Sequence, residues 1–417
     1  MKKNFIIISD NLEVFSNPTI CSFIEILIKR NNKVYIIAPK QVLHCPFDST
    51  KIKFIHRHDK SIKYILWSLL RNIVSTIKSI RDTSTLKDIY WEFRKNLNAS
   101  YADCIDLLSC IYSSLCTIIK YKLYYRPHYI CIDDNGLLLS ENFRIFAFGY
   151  KLTYFSFEIT FGDECKNSFR KWHRYISSSL MKRVSNYLIQ DEIRNHNLLE
   201  ENGYLRNKRK FIIPVAPKLI LFTRSILKRR TSIIFSGSFN KCMGIHQVFK
   251  HIHSYSNDYF FEFHTHRPDL IDDQILSFIS NNKSQNIKFH LEAYTEIESY
   301  YSYLSQFHCA ISLYFSNPEW GIWMGKNIAD IGLSSGKFAT FMMLGIPTIV
   351  RDIEPYTSIY KKYKFGSLIT HLSEIGSAIS NIIKNHNAYC EASTQLYHNI
   401  LFPFNNINQK FLDIVRD

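Results

Sequence analysis

Glycine and proline are scarce in this chain, which has only 13 glycines and 11 prolines among its 417 residues. A collagen-like repeat and a long low-complexity chain are therefore excluded, because both contain much more of these two residues. Hydrophobic residues make up 46% of the sequence and aromatic residues 15%, which is enough to fill real cores. The length exceeds that of one typical domain, so we expect two domains.

Several short motifs are also missing. The ten cysteines are scattered, without a CxxC pair or a cysteine–histidine cluster at zinc spacing. Asp272 and Asp273 are adjacent and do not form a DxD motif. We therefore expect no bound metal, and reduced thiols in a cytoplasmic protein. Only four apolar residues lie between Lys3 and Ser9, too few for a signal peptide, and no uninterrupted run reaches the roughly 18 apolar residues of a membrane span.

Acidic residues are fewer than basic ones, 36 against 52, which gives a formal net charge of +16. Segment 51–126 carries 14 basic and 6 acidic residues, and segment 204–230 carries nine basic and no acidic residues. Clustered positive charge favours an anionic partner, such as a phospholipid surface, a nucleic acid or a phosphorylated substrate. The sequence has no helix-turn-helix or aromatic-stacking signature, so a nucleic acid is not expected.

Segment 61–125 has helical periodicity without the punctuation of strands. Across 62–81, apolar residues recur at three- and four-residue spacing among basic ones. A helix that lies on an anionic membrane surface has this pattern, and so has a helix packed on a core with one solvated edge. We expect peripheral contact with an anionic membrane, and the core-packed helix is the alternative.

Short apolar strands alternate with helical segments along the rest of the chain, as is typical of a parallel sheet. The strands predicted for the first half are 5–9, 34–38, 53–56, 129–133, 152–158, 187–191 and 211–215. Those predicted for the second half are 232–236, 259–264, 287–291, 309–315, 347–351 and 367–370. The turn after the first strand contains no glycine, so a dinucleotide is not expected there.

The predicted fold class is α/β, with two Rossmann-like domains facing each other across a cleft and a helical C-terminal tail. We place the first domain at 1–220, with a helical basic insertion at about 60–125. The second domain is placed at 221–395, and segment 218–231, which spans the boundary, links the two halves. The last segment, 396–417, is expected to form a helix that packs back on the first domain.

Acidic residues stand at the ends of three predicted strands of the first domain, namely Asp133, Glu158 and Asp191. The carboxyl ends of parallel strands share one edge of a sheet, where open α/β sheets bind their ligands. Asp133 also opens a polar turn at 133–136. Turn formation and helix capping are alternative explanations for the two aspartates.

The strongest motif combines a small polar loop, a helix start and a glycine that ends the helix. Ser334, Ser335 and Gly336 lead into Lys337 and an apolar helical run, which ends at Gly345 before a β-branched strand. Backbone N–H groups and a lysine at a helix N-terminus form a site for an anion. An ordinary surface loop before a buried helix has the same sequence features.

The segment that contains this motif, 327–347, reads NIADIGLSSGK followed by GIP, and it resembles the donor-binding signature of bacterial GT-B glycosyltransferases of the family 4 type. Segment 235–245 resembles the first strand and turn of their C-terminal domain, and segment 188–194 resembles a strand–helix junction of their N-terminal domain. The resemblance implies a GT-B fold and transfer of a sugar from a nucleotide diphosphate sugar. The implied acceptor is a glycan or lipid-linked glycan in surface polysaccharide biosynthesis, at the inner face of the membrane. No divalent metal or other cofactor is implied.

The resemblance also implies roles for particular residues. Backbone N–H groups and cations would hold the leaving diphosphate, and the candidates are Gly237, Ser238, Lys241, Asn327, Ser334, Ser335, Gly336 and Lys337. Lys337 is also a candidate catalytic residue. Glu158 is the candidate base or acceptor contact, with Asp133 second. Trp320 and Trp323 would stack on a sugar or a base, or else belong to the core.

The sequence departs from the family pattern at one important place. Family 4 enzymes usually carry two glutamates eight residues apart, and those positions fall at Gly332 and Thr340 here. Glu319 and Asp330 are nearby acids that would have to substitute for them. The alternative function is therefore a glycosyltransferase-like binding subunit that has lost its chemistry and serves a partner enzyme.

Overall fold

The computed structural model describes residues 3–9, 15, 17–38, 47, 50–56, 68, 86–219, 230–252, 258–282, 284–294, 296–321 and 323–416. The predicted amphipathic segment at 62–81 lies outside these ranges except for residue 68. The turn at 10–13 and most of the linking segment at 218–231 lie outside them as well.

The first half of the chain forms a seven-stranded sheet in which every strand pair is parallel. Its strands are β1 (Asn4–Ile8), β2 (Lys33–Ala38), β3 (Ile52–His56), β4 (His128–Ile132), β5 (Lys151–Phe155), β6 (Asn186–Ile189) and β7 (Arg209–Ile212). Their order across the sheet is β3-β2-β1-β4-β5-β6-β7. The strands read as continuous apolar runs because helices cover both faces of a parallel sheet.

The second half forms a six-stranded parallel sheet. Its strands are β8 (Ser232–Ser236), β9 (Phe260–His264), β10 (Ile287–His290), β11 (Cys309–Ser312), β12 (Thr348–Arg351) and β13 (Gly366–Ile369). Their order is β10-β9-β8-β11-β12-β13. The α/β architecture of two parallel sheets predicted from the sequence is thus confirmed.

The helices of the first half are α1 (Pro18–Lys29), α2 (Leu86–Tyr121), α3 (Asp133–Arg144), α4 (Ser168–Met181) and α5 (Glu192–Glu201). Those of the second half are α6 (Ile245–Ile252), α7 (Asp273–Asn281), α8 (Ile297–Leu304), α9 (Lys326–Ala329), α10 (Gly336–Met343), α11 (Tyr356–Lys362), α12 (Ile375–Lys384), α13 (His386–Leu396) and α14 (Phe404–Arg416). A π-helical turn, Tyr397–Leu401, follows α13 directly.

The C-terminal helix α14 returns to the first half of the chain. The ring of Phe411 lies 5.3 Å from that of Phe23 in α1. The Lys410 ammonium donates to the carbonyl oxygen of Ile212 at 2.7 Å, and the Lys3 ammonium donates to that of Val415 at 2.8 Å. Both apolar packing and hydrogen bonds therefore tie the end of the chain to the first sheet.

The predicted polar turn at 133–136 is wrong, because α3 begins at Asp133, directly after β4. Asp133 has a left-handed backbone, with φ of 53°, and this residue turns the chain from strand to helix. Gly136 packs against β1, where a Cβ atom would lie 2.5 Å from the carbonyl oxygen of Ile8. The glycine therefore allows close packing of helix on strand and does not form a turn.

Helix α2 is 36 residues long and lies in the predicted helical insertion. Its segment Ala102–Tyr121 is long and apolar enough to cross a membrane by length and composition alone, with a mean hydropathy of 1.5. One such helix is weak evidence for a span, because the core helix of a soluble protein passes the same test. Only 24% of this segment is buried, and Leu108, Tyr112 and Ile119 are among its exposed side chains.

Candidate active site

Lys337 occupies the first turn of α10, and this helix begins at the boundary between the two halves of the chain. The hydroxyl of Ser335 accepts a hydrogen bond from the Phe338 N–H at 3.1 Å, which caps the helix. A Cβ atom added at Gly336 would lie 3.3 Å from Val215 and 4.0 Å from Pro18, both in the first half. The positive end of the helix dipole therefore faces the first half of the chain.

The Lys337 side chain reaches from α10 towards the carboxyl ends of β8 and β11. Its ammonium lies 4.9 Å from the ring centre of Phe235, 5.0 Å from that of Tyr314 and 3.8 Å from the sulfur of Met243. Among the described residues, no carboxylate forms an ion pair with it, and burial lowers the pKa of the ammonium to about 8. An ammonium that is half-buried against aromatic rings and a thioether is suited to bind an anion, because the anion would supply its counter-charge.

Gly237 forms the side of this site opposite α10. Its φ of 138° favours glycine, and a Cβ atom there would lie in ordinary contact with the Lys337 Cδ atom, at 3.4 Å. Ser238 follows it and is half-buried, whereas Lys241 is exposed. The structure thus brings Gly237 and Lys337 together, while Lys241 lies at the rim.

Glu158 enters the same region from the first half, after the end of β5. Its backbone N–H donates to the Asp133 carboxylate at 2.9 Å, so the ends of β4 and β5 meet as the sequence predicted. Burial raises the pKa of the Glu158 carboxyl to about 7, although the positive charge of Arg194 lowers it. A carboxyl with this pKa accepts a proton at neutral pH and suits a general base.

The Cys242 thiol is buried and feels the charge of both candidate catalytic groups. Burial raises its pKa to about 11; the charge of Lys337 lowers this pKa, and the charge of Glu158 raises it. Both charges are therefore near one buried atom of the second half. A carboxyl of the first half and an ammonium of the second half therefore influence the same thiol, and their roles in chemistry stay predictions.

Asn327 joins the two halves directly and is only 1% exposed. Its amide nitrogen donates to the carbonyl oxygen of Ile159 at 2.8 Å, and its amide oxygen accepts from the Ile159 N–H at 2.9 Å. The Arg194 guanidinium donates to the same amide oxygen at 3.1 Å and also to the carbonyl oxygen of Phe157. The side chain of Asn327 therefore holds the two halves together in this structure.

Three further contacts hold the loop between α9 and α10 against the first half of the chain. The Leu333 N–H donates to the Asp191 carboxylate at 3.2 Å, and the Leu333 carbonyl oxygen accepts from the Val215 N–H at 2.9 Å. The Ser334 hydroxyl donates to the side-chain oxygen of Gln190 at 3.0 Å. Because its hydroxyl donates to Gln190 and its N–H donates to the carbonyl oxygen of Ile331 at 2.8 Å, both donors of Ser334 are engaged within the protein.

The two positions at which family 4 enzymes carry glutamates are Gly332 and Thr340, and the structure gives a steric reason for a glycine at the first. Gly332 has φ of 38°, and a Cβ atom there would lie 2.6 Å from Pro355 and 2.8 Å from an Asp191 carboxylate oxygen. The Thr340 hydroxyl donates to the carbonyl oxygen of Gly336 within α10 at 2.9 Å. Of the two proposed substitutes, Glu319 is exposed, and Asp330 accepts a hydrogen bond from Asn197 at 2.8 Å.

Trp320 and Trp323 lie in the loop after β11 and are not core residues, since they are 37% and 40% exposed. The neighbouring Lys326 is tied to the first half through its ammonium, which contacts the Asp163 carboxylate at 2.6 Å, and its N–H, which donates to Glu164 at 2.7 Å. Two indole rings are thus available to a ligand beside the junction of the two halves.

Sequence reasoning missed the residues that arrange this cleft. Arg194 is 1% exposed, yet the sequence shows it only as an ordinary residue of a helix start. The side-chain amide of Gln190 donates to the carbonyl oxygen of Ser156 at 2.7 Å. The hydroxyl of Tyr314 forms a hydrogen bond of 2.7 Å with the hydroxyl of Ser335. No local pattern identifies them, because their partners are distant in the chain. Within the described ranges, no group of His, Cys, Asp and Glu has the arrangement to hold a metal ion.

Two parallel sheets in these strand orders, meeting at their carboxyl edges, define the GT-B fold of glycosyltransferases, and this chain has that fold. Sucrose-phosphate synthase from Thermosynechococcus elongatus matches it with a TM-score of 0.62 at 10% identity, over 100% of this chain and 98% of that one. A glycosyltransferase from Rickettsia africae matches with a TM-score of 0.62 at 12% identity, over 100% and 99%.

The trehalose-6-phosphate protein of E. coli, solved with bound UDP-2-fluoro glucose, matches with a TM-score of 0.59 at 7% identity, over 100% of this chain and 98% of that one. No protein-family model matches the sequence, and no curated protein does. At identities this low, the similarity establishes the fold, and the chemistry has to be argued from the site.

Proposed function

We propose that this protein is a glycosyltransferase that transfers a sugar from a nucleotide diphosphate sugar to a glycan or lipid-linked glycan. The observation that carries the proposal is the Lys337 ammonium, which is half-buried beside the N-terminus of α10 and has no carboxylate partner among the described residues. A cation in that position stabilises the negative charge that builds on a leaving diphosphate.

The donor would lie along the carboxyl edge of the second sheet. Its diphosphate would contact the Lys337 ammonium and the backbone N–H groups of Gly336 and Lys337, which have no partner within the helix. Gly237 leaves room for the diphosphate beside the lysine, since its missing Cβ atom would have stood 3.7 Å from the ammonium nitrogen. The E. coli relative, which was solved with a UDP-sugar analogue, has the same fold and supports this class of donor.

The acceptor would approach from the first half of the chain. Its hydroxyl oxygen forms the new bond to the anomeric carbon, while the bond from that carbon to the diphosphate oxygen breaks and its electrons leave with the nucleotide diphosphate. In an inverting reaction, Glu158 takes the proton of the hydroxyl, which a carboxyl with a pKa of about 7 does readily. The exposed rings of Trp320 and Trp323 suit stacking on a sugar of the acceptor.

We infer a cytoplasmic place of action, at the inner face of a membrane where surface polysaccharide is built. The formal net charge of +16 supports contact with anionic lipid or with phosphorylated intermediates. We also propose that the chain has two domains, that it acts in the cytoplasm and that it needs no bound metal.

A second candidate function is a binding subunit without turnover, and the absence of the family glutamates at Gly332 and Thr340 favours it. The two functions differ in one measurable event. A glycosyltransferase releases nucleotide diphosphate when it is given its donor and an acceptor or water. A binding subunit is stabilised by the donor and releases none.

A thermal-shift screen of nucleoside diphosphates and their sugars tests the proposal. A ligand at one hundred times its dissociation constant should stabilise the protein by about 2.7 kcal/mol. The Lys337→Met variant should show no such shift, whereas the exposed Lys241→Met variant should retain most of it. If no nucleotide stabilises the wild-type chain, or if the Lys337→Met variant responds like the wild type, the proposal fails.

A further inference from the structure

The amino ends of all seven strands in the first sheet carry positive charge. Lys3 directly precedes β1, and each of the other strands has a lysine or arginine as its first residue or within the three residues before it. These six are Lys33, Lys51, Arg126, Lys151, Arg183 and Arg209, all exposed. Two of them also contact a carboxylate, Arg183 that of Glu141 at 3.3 Å and Arg209 that of Asp413 at 3.0 Å. No aspartate or glutamate occupies any of the corresponding positions. Because the strands are parallel, these cations share one edge of the sheet, which we call the amino edge.

The second sheet offers an internal comparison. Among its six strands, only β8 and β13 have a lysine or arginine within the three residues before them, including Arg230 and Lys364. Asp258 precedes β9 and adds a negative charge. The concentration of cations therefore belongs to the first half and does not follow from the fold, which both halves share.

Apolar side chains project from the same edge. Phe148 is 75% exposed, Tyr125 58% and Tyr124 48%. Their two segments are joined by backbone hydrogen bonds, from the Arg126 N–H to the Phe148 carbonyl oxygen and from the Phe148 N–H to the Tyr124 carbonyl oxygen, each 2.8 Å long. The exposed rings thus form one patch beside the Arg126 guanidinium.

The backbone holds this patch outward. Lys122 and Arg126 have left-handed conformations, with φ of 55° and 46°, which are unfavourable for residues other than glycine. Leu123, which lies between Lys122 and Tyr124, is fully buried and anchors the turn in the core. The buried Leu123 and the two residues with unfavourable backbone angles hold Tyr124 and Tyr125 in solvent. Packing of the core does not by itself require this arrangement.

We propose that the amino edge of the first sheet docks on an anionic phospholipid bilayer. Lysine and arginine near such a surface are attracted by its negative potential. Tyrosine is typical of the level of the headgroups, where its ring is partly apolar and partly wet, and phenylalanine is typical of the apolar face that enters the acyl boundary. A nucleic-acid backbone would also attract the cations, but Phe148, the most exposed side chain of the patch, suits an acyl boundary better.

This docking places the cleft above the bilayer. A five-residue strand spans roughly 17 Å at about 3.3 Å per residue, so the carboxyl edge lies about that far from the docked face. A glycan acceptor anchored in the same bilayer would reach the cleft through its own sugars. The docking surface itself does not depend on the proposed glycosyl transfer, since it lies at the opposite edge of the sheet.

Sedimentation of the full chain with lipid vesicles tests the proposal. The wild type should bind vesicles of phosphatidylcholine mixed with phosphatidylglycerol, and should bind those of phosphatidylcholine alone much more weakly. The double variant Arg126→Gln/Lys151→Gln should lower the partition coefficient about 30-fold, because each cation near the surface contributes about a fivefold factor. The matched variant Arg230→Gln/Lys364→Gln, at the amino ends of strands in the second sheet, should change it less than twofold.

A second variant separates apolar insertion from charge alone. Tyr125→Ser/Phe148→Ser removes two exposed rings without opening the core, so its thermal midpoint should stay near that of the wild type. Its vesicle binding should fall at least tenfold, and the remaining binding should be more sensitive to salt. If the Arg126→Gln/Lys151→Gln variant and the Tyr125→Ser/Phe148→Ser variant both bind vesicles as tightly as the wild type does, the proposal is overturned. So would tight binding to single-stranded RNA that the phosphatidylglycerol vesicles fail to displace.

Discussion

Asn327 and Ile159 exchange two hydrogen bonds across the cleft, one in each direction, although 168 positions separate them in the chain. The amide of Asn327 thereby satisfies both backbone groups of one residue, as a neighbouring strand would. Its oxygen also accepts from the Arg194 guanidinium, which is buried. One side chain of the second half therefore completes the hydrogen bonding of a loop in the first half.

Replacing Asn327 by leucine should loosen the junction of the two halves. The change leaves the N–H and carbonyl groups of Ile159 and one guanidinium contact buried without partners, at a cost of about 3 kcal/mol. Urea unfolding followed by tryptophan fluorescence should show this loss. The matched variant Asn197→Leu removes one partly exposed bond to Asp330, and should cost less than about 1 kcal/mol. Equal losses in the two variants would contradict the assigned role.

Lys337→Met should make the unliganded protein more stable. The pKa of the Lys337 ammonium falls from 10.5 to about 8 in the fold, so the unfolded chain binds more protons at this site between those pH values. Charging the buried amine at neutral pH opposes folding by an amount on the order of 2 kcal/mol. Stability contributed by this site therefore rises from pH 8 to 10.5 in the wild type. Thermal melts should show a higher midpoint for Lys337→Met at pH 7, and no such alkaline rise.

The exposed Lys241 provides the control for that measurement. Lys241→Met should leave the melting temperature of the unliganded protein unchanged at pH 7, and should keep the rise in stability between pH 8 and 10.5. A lower midpoint for Lys337→Met at pH 7 would show that the lysine already has an anionic partner within the protein.

Activity should be confined to a narrow pH range. The carboxyl of Glu158 acts as a base only when ionised, so kcat/KM should rise through pH 7, while deprotonation of Lys337 should lower it above pH 8. Glu158→Gln should remove the rising limb and reduce kcat roughly 100-fold or more. Glu319→Gln, at an exposed acid, should leave both limbs in place. A rising limb that persists in Glu158→Gln would assign the base to another residue.

The sequence made the strands easy to locate, because each is a continuous apolar run between polar turns. It misread the residues after Asp133, since only the closeness of Gly136 to Ile8 shows that the glycine serves a helix–strand contact. Lys337 was identified through a local motif, the loop before its helix. Arg194 was not, because its partners Asn327 and Phe157 are brought to it by the fold and leave no local pattern.

Restoring the first family glutamate by Gly332→Glu should unfold the protein and should not activate it. Gly332 has a left-handed backbone, and its Cβ position collides with Pro355 and with the Asp191 carboxylate, which already accepts the Leu333 N–H. Steric overlap and the approach of two carboxylates should together cost at least about 3 kcal/mol. Gly332→Ala isolates the steric part and should still destabilise, whereas Gly203→Ala, with no atom within 4 Å of its added carbon, should not. A well-folded Gly332→Glu protein with increased turnover would contradict this steric argument.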